Sequence, residues 1–326
     1  MSLLEINHVN VTYKLPDKNV YAVQDVSLNL NEEESIGIVG ESGSGKSTLA
    51  MGILRLLPEK IIEVSGTAKL NGEDIFSMSD ERLQEVRWVK MSVVFQKAMN
   101  AMSPVYRIGD QMMDIYRVHF PDEPKEEVKK KIIDLLHLVN LNERVYTAYP
   151  HELSGGMMQR VAIALSLIFH PDVLIMDEAT TALDVVTQSQ ILNEIMNLEK
   201  TMKIARIMIT HDVSVVASTC KRVVVMYAGQ IMEVGDVNDV LVNPKHPYTY
   251  GLLKSFPSFK GERGTLKGIP GTLPDLSVIQ KGCVFADRCP FAKEKCRNEK
   301  PVMQDFSAGW QAACHYPMRG DSDGKH

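Results

Sequence analysis

The sequence predicts an α/β fold interrupted by a helical insertion and followed by a small C-terminal extension. Three observations predict it. Short β-branched runs fill residues 1–95 and return from about 172, where a helix-like segment lies between them. Between about 97 and 168 the apolar spacing turns helical. Beyond about 243 the composition shifts to Pro and Gly, and four of the five cysteines crowd into 283–314.

Each element follows from its local pattern. Val9-Asn10-Val11-Thr12-Tyr13, Ser35-Ile36-Gly37-Ile38-Val39 and Met91-Ser92-Val93-Val94-Phe95 read as strands, with turn residues between them. In the insertion, Val128, Ile132, Leu135, Leu136 and Val139 share one helical face, while Glu126, Lys129, Lys130 and Asp134 take the other. Strands return at Val173-Leu174-Ile175-Met176, Ile207-Met208-Ile209-Thr210 and Val223-Val224-Val225-Met226, with a helix predicted over 185–198. Asn243-Pro244-Lys245-His246-Pro247 and 257–282 read as loop or linker. The expected organisation is therefore a main domain over 1–242, an extension over 243–318 and a disordered polar tail over 319–326.

A length of 326 residues is enough for about two domains and a core that needs no disulfides. The formal net charge of -5 argues against binding nucleic acid by bulk phosphate neutralisation. No apolar run approaches the roughly 18 residues of a membrane helix. The first residues, Met1-Ser2-Leu3-Leu4-Glu5, lack the basic and apolar regions of a secretory signal. The expectation is a soluble intracellular chain whose dealings with a membrane go through a partner.

Gly40-Glu41-Ser42-Gly43-Ser44-Gly45-Lys46-Ser47 fits G-x-x-x-x-G-K-[ST] between the strand 35–39 and a helical pattern of Leu49, Ile53, Leu56 and Leu57. Glycines there let backbone N–H groups turn toward phosphate oxygens, and the helix N-terminus adds partial positive charge. Lys46 would reach the β/γ-phosphates and the Ser47 hydroxyl would ligate Mg²⁺. The strand 173–176 ends in Asp177 and Glu178, a carboxylate for Mg²⁺ and one to take a proton from attacking water. Leu153-Ser154-Gly155-Gly156-Met157-Met158-Gln159-Arg160 reads as a serine-capped, glycine-opened helix start, a second place for an anion.

Taken in order, the glycine loop, Gln96, Leu153-Ser154-Gly155-Gly156, Asp177-Glu178, Asp184 and His211 resemble an ATP-binding cassette subunit. Within that superfamily the chain is similar to the ATPases of oligopeptide/dipeptide importers. The stretches that carry this likeness are Asn100-Ala101-Met102-Ser103-Pro104-Val105-Tyr106, His246-Pro247-Tyr248-Thr249 and Gly282-Cys283-x-Phe285-x-x-Arg288-Cys289-Pro290. The resemblance implies a P-loop NTPase cassette: a RecA-like α/β core, an antiparallel β subdomain and a helical signature subdomain.

It also implies roles. Tyr13 would stack on adenine, and Gly40, Glu41, Ser42, Gly43, Ser44, Gly45, Lys46, Ser47 and Thr48 would hold ATP. Ser47, Gln96 and Asp177 would serve Mg²⁺, with Glu178, His211 and Gln96 catalytic. Ser154, Gly155, Gly156 and Gln159 would cover a second chain's ATP, and Asp184 would lie in the dimer loop. The departure at Met158, where relatives often carry arginine, leaves these assignments standing.

The partners implied are a second ATPase, identical or paralogous, two transmembrane permease subunits at the cytoplasmic face of the membrane, and indirectly an extracytoplasmic solute-binding protein. Residues 99–106 form the expected docking region. Oligosaccharides or metal complexes are alternative cargoes, because specificity lies in the other subunits. A soluble cassette acting on DNA is disfavoured by the absence of sustained heptads between Lys46 and Leu153.

Cys283-x5-Cys289-x6-Cys296-x17-Cys314 lacks the C-x₂₋₄-C knuckles of a zinc ribbon. Four thiolates at wide spacing suit a [4Fe–4S] cluster better, with Zn²⁺ and free or oxidised thiols as alternatives. The resemblance favours the cluster, as a structural staple of the extension.

Overall fold

The computed structural model describes residues 2–95, 102–179, 184–255 and 268–318. The N-terminal elements are β1 (Ser2–Lys14), β2 (Asn19–Asn31), β3 (Ser35–Val39), α1 (Lys46–Ile53), β4 (Ile62–Leu70), β5 (Glu73–Asp74), α2 (Asp80–Val86) and β6 (Met91–Phe95). Then come α3 (Ile108–His119), α4 (Lys125–Leu138), α5 (Gly155–Ser166), β7 (Val173–Asp177), α6 (Val185–Met202) and β8 (Ala205–Ile209). The chain continues with α7 (Val213–Thr219), β9 (Arg222–Tyr227), β10 (Gln230–Asp236), α8 (Val237–Val242), α9 (Pro247–Lys254), α10 (Glu294–Asn298), β11 (Gln304–Ser307) and β12 (Trp310–Ala312). No described helix is long and apolar enough to cross a membrane. The tail 319–326, expected to be disordered, lies outside the described residues.

Two compact units share the chain. A loop unit comprises Ser2–Leu30, Ser35–Phe76 and Ile209–His326, and a helical unit comprises Asn31–Glu34 and Ser77–Met208. They interleave in sequence, so neither is a simple N- or C-terminal half.

In the loop unit, β2-β1-β4-β5 form an antiparallel sheet. The alternation along β1 changes phase: Leu4 and Ile6 are buried, then Val9 and Val11. A bulge between Asn7 and Asn10, with His8 at φ 50°, inserts the residue that moves the buried face from even to odd positions. Past the bulge the register is regular and sets Tyr13 opposite Ile62. The same unit contains the strand series β11-β12-β10-β9-β3. All five residues of β3 are buried, which is why its sequence is a continuous apolar run rather than an alternating one. It pairs parallel to β9, Ile36 with Arg222 through Val39 with Val225. Helix α7 packs on β3 at Gly37, where a Cβ would lie 2.3 Å from Val216 Cγ1.

The extension joins this core. Tyr248, Leu252, Val284, Phe285 and Trp310 pack with Val39, Val225, Tyr227 and Met232. The hairpin β11–β12 pairs onto β10. The segment expected as linker after 243 starts a helix: His246 is the N-cap of α9 and Pro247 its first residue, a position where proline needs no N–H partner. Glu233 of β10 is fully buried and accepts from the amides of Lys245 (2.8 Å) and His246 (2.9 Å) and from Trp310 Nε1–H (2.9 Å). Burial pushes its carboxyl above the usual range, and those donors oppose the shift.

In the helical unit β8-β7-β6 run in order, with β6 and β7 parallel from Met91–Val173 to Phe95–Asp177. Helices α3, α4 and α5 occupy the expected insertion, whose first residues, 97–101, lie outside the described set. The predicted face of α4 is the buried one: Val128, Ile132, Leu135 and Leu136.

His246 makes the anchor of α9 sensitive to acid. Its Nδ1 accepts from the Tyr248 amide at 3.0 Å, so protonation would destroy the cap. Burial pushes its pKa down to about 3, below the ordinary value of 6.5. The unfolded chain thus binds the proton more readily. The associated stability is complete above pH 6.5 and is lost as pH falls toward 3. His246→Asn keeps a capping acceptor without the titration. Melting temperature against pH should fall less steeply for this variant than for the natural chain below about pH 6.5; parallel curves would refute the assignment.

Candidate functional site

The glycine loop leaves the buried end of β3 and enters α1. Gly40 and Gly45 have φ of 153° and 96°, a region that side chains disfavour. Space forbids a side chain as well: a Cβ on Gly40 would lie 2.1 Å from Met226 O, and one on Gly45 would lie 2.3 Å from Ala22 O. The loop is therefore held between the β9 end and strand β2. Gly229 N–H donates to Ser44 O at 3.0 Å, and Ser44 is fully buried. Lys46 is 5% exposed and curls over its own loop, donating to Gly40 O (2.8 Å), Glu41 O (2.9 Å) and Ser44 Oγ (3.3 Å). Ser42 and Gly43 are exposed, while Ser47 and Thr48 are half-buried. Tyr13 is half-buried, its Oη 3.5 Å from Thr48 Oγ1, so the structure brings this aromatic to the first turn of α1. His211 is exposed and follows Thr210, whose amide donates to Ile38 O at 3.2 Å.

The helical unit carries the remaining predicted residues. Asp177 ends β7 and is 6% exposed. Glu178 follows at φ 49°, a left-handed conformation that costs about 1–2 kcal/mol for a residue with a Cβ and turns the chain off the strand direction. Ser154 caps α5, its Oγ accepting from the Met157 amide at 3.3 Å, and both Ser154 and Gly155 are exposed. Gly156 faces the start of α6, where a Cβ would lie 2.9 Å from Thr187 Cγ2. Asp184 caps α6, accepting from Thr187 N–H (3.0 Å), Val186 N–H (3.1 Å) and Thr187 Oγ1–H (2.7 Å). The Thr187 bonds lead in holding its carboxyl below the ordinary range. The starts of α5 and α6 are thus neighbours, locked farther along by Arg160 donating to Glu194 at 3.0 Å.

Gln159 differs from its expected place. It is 1% exposed, on the helix face of Ala162 and Ile163, and its Nε2 has no hydrogen-bond partner among the described residues. Helical periodicity turns it inward, away from the open helix start. Gln96, the segment 180–183 and residues 99–101 of the docking region lie outside the described residues. Met102 of that region is buried, whereas Val105 and Tyr106 are exposed.

Cys283, Cys289, Cys296 and Cys314 line one cavity of about 20 Å³ with His246, Phe285 and Tyr316, and no disulfide joins them. Burial, reinforced by the neighbouring thiols, pushes Cys283 and Cys314 up to about 11. Among the described residues no group of three or more His, Cys, Asp or Glu is placed to hold a metal ion. Three contributors escaped the sequence reading: Glu233, the Tyr248 hydroxyl, which accepts from the Glu41 amide at 2.9 Å, and Arg288, which pairs with the Glu41 carboxylate at 2.8 Å. Tyr248 and Arg288 were signalled only as members of subfamily stretches with no stated role, and Glu233 lies in none of those stretches.

Residues 23–181 match the ABC transporter family, and residues 232–296 match the oligopeptide/dipeptide transporter C-terminal region. The chain is 42% identical to the oligopeptide transport ATP-binding protein OppD of Salmonella typhimurium, over 97% of this chain and 94% of that one. It belongs to the ATP-binding subunits of ABC transporters, in the oligopeptide/dipeptide branch. The dipeptide transport ATP-binding protein DppD of Escherichia coli is 36% identical over 98% of both chains. Among solved structures, the dimeric ABC transporter cassette MJ0796 superposes with a TM-score of 0.64 at 28% identity, over 72% of this chain and 98% of its own. A post-hydrolysis state of the same cassette, bound to ADP and Pi, matches equally well at 29% identity. This cassette is accordingly an α/β ATPase.

The cassette's loop leaves no room for a methyl group at residue 45. Gly45→Ala should abolish measurable binding of a fluorescent ATP analogue, or lower stability by about 2 kcal/mol or more through strain and the clash with Ala22 O. Binding and melting both equal to the natural chain would contradict this packing.

Proposed function

We propose that this ATPase energises import of dipeptides or oligopeptides, through ATP-driven closure and hydrolysis-driven opening of a head-to-tail pair of cassettes. The observation that carries the reading is the contrast between two glycine-opened helix starts. One is a tight loop closed around Lys46; the other, Ser154-Gly155, is exposed. A second cassette, identical or paralogous, would lay its Ser154, Gly155 and Gly156 on this chain's nucleotide, and two such sites follow from twofold symmetry. Gln159 has no part in that contact because it is buried. The dimeric state of MJ0796 and the peptide transport named for OppD and DppD support this reading.

In the proposed reaction the loop amides and Lys46 bind the triphosphate, and Tyr13 covers adenine. Ser47, Asp177 and Gln96 would serve Mg²⁺, Glu178 would take the proton of the attacking water, and His211 would meet the γ-phosphate. The chemistry is phosphoryl transfer to water, governed by positioning and electrostatic stabilisation. Asp184, the proposed dimer-loop residue, caps the helix whose Thr187 adjoins Gly156. Permease subunits at the cytoplasmic face of the membrane would receive the motion, with Val105 and Tyr106 as exposed contacts. An extracytoplasmic solute-binding protein would deliver the peptide.

For the cysteines we propose a [4Fe–4S] cluster as a structural staple. All four thiols face one cavity, and an all-thiolate donor set suits iron–sulfur. Zn²⁺ is the alternative occupant of the same four thiols. The present cavity is of single-water size, and a cluster would have to spread the cysteine loops.

Glu178→Gln should keep ATP binding, lower turnover by about 10²–10⁴-fold and accumulate an ATP-dependent dimer with the partner cassette in light scattering. Undiminished hydrolysis would remove Glu178 from the base role. Anaerobically purified protein should contain iron and sulfide and absorb broadly near about 400 nm; a colourless protein with one zinc per chain would replace the cluster with zinc.

A further inference from the structure

Glu41 is an acidic residue inside a loop that must receive a polyanion. Its side chain is 29% exposed, so bulk water alone does not screen it. Within the same unit Arg288 answers it as a fork: Nη1 donates to Oε2 at 2.8 Å and Nη2 to Oε1 at 3.1 Å. The guanidinium is 8% exposed, and each of its five N–H groups has an acceptor. Besides the two carboxylate oxygens, these are Tyr227 Oη at 3.2 Å, Ile269 O at 3.1 Å and Pro270 O at 2.8 Å. The Tyr227 ring lies under the guanidinium, 5.5 Å from its Cζ. Such a fully satisfied, stacked fork has one orientation, and Lys could not reproduce it. On the backbone side, Tyr248 Oη accepts from the Glu41 amide at 2.9 Å. Two side chains of the extension therefore hold both the charge and the main chain of one loop residue.

We propose that Arg288 is a positioning residue for the ATPase reaction, cancelling the Glu41 charge so that the loop accepts the triphosphate. This rests on the reading of residues 40–48 as the ATP site. The cancellation acts on ground state and transition state alike, so loss of Arg288 alone raises KM and leaves kcat little changed. An ordinary structural brace would behave differently, because removing either partner would then be equally harmful.

The test measures affinity of the full-length chain for a fluorescent ATP analogue with Mg²⁺, together with kcat and KM. Arg288→Gln should weaken binding about tenfold, as an uncancelled carboxylate near the phosphates demands. Glu41→Gln alone should tighten binding severalfold, because Arg288 then stands as an uncancelled cation. The double variant, neutral at both positions, should return to within about twofold of the natural chain. Weaker binding by Glu41→Gln, or no rescue in the double variant, would overturn the inference. Should Arg288→Gln fail to fold, the Glu41→Gln measurement decides by itself. A natural chain that bound no nucleotide would overturn the ATP-site reading, and this inference with it, which separates the two failures.

Discussion

The loop at residues 40–46 is confined by backbone on both sides, and this confinement is the constraint on which the rest of the loop unit depends. Carbonyl oxygens of Met226 and Ala22 occupy the space that a Cβ at Gly40 or Gly45 would need. Close backbone approach of this kind works only if β9 and β2 are themselves rigid. The parallel pairing of β3 with β9 and the bond from Gly229 N–H to Ser44 O supply that rigidity. Lys46 then has a preset place, folded over the carbonyls of Gly40 and Glu41. The glycines are thus a packing requirement before they are a binding feature.

The extension takes part in that confinement. Its aromatic residues cluster tightly: Tyr227 and Tyr248 have ring centroids 4.6 Å apart, and Phe285 meets Tyr227 edge-on at 5.2 Å. Glu233, a carboxylate with no exposure, is tolerable because three N–H donors converge on it. Those donors come from the residue before the α9 cap, from the cap itself and from β12. One buried charge therefore fixes where the helix starts and where the hairpin lies. Tyr248 then reaches Glu41 from a helix whose origin is not free to drift.

Legibility in the sequence followed the range of the interactions. The glycine loop could be read because its chemistry demands particular residues at adjacent positions. The buried face of α4 and the apolar run of β3 could be read because periodicity is local. Arg288 and Glu41 are separated by 247 positions, and nothing in either neighbourhood announces the other. Glu233 looks like an ordinary polar strand residue until its three donors are in place. Helix α9 was hidden by its own prolines, although Pro247 occupies the one helical position where proline is at home. The bulge at His8 leaves only a phase slip between Ile6 and Val9, which a short strand reading passes over. Gln159 was misplaced because a motif read as a string ignores the helix beneath it: three residues past Gly156, the side chain has turned into the core.

The helical unit shows the same economy at its two helix starts. Ser154 and Asp184 each satisfy the first amides of their own helix, so neither start needs a ligand in order to be stable. Gly156 lets the two starts approach, since even a methyl group there would press on Thr187. Glu178 is a strained backbone position next to a buried carboxylate, as Glu33 is beside Glu34 in the same unit. The left-handed φ of Glu178 turns the backbone off the line of β7, while Asp177 remains the last residue of the strand.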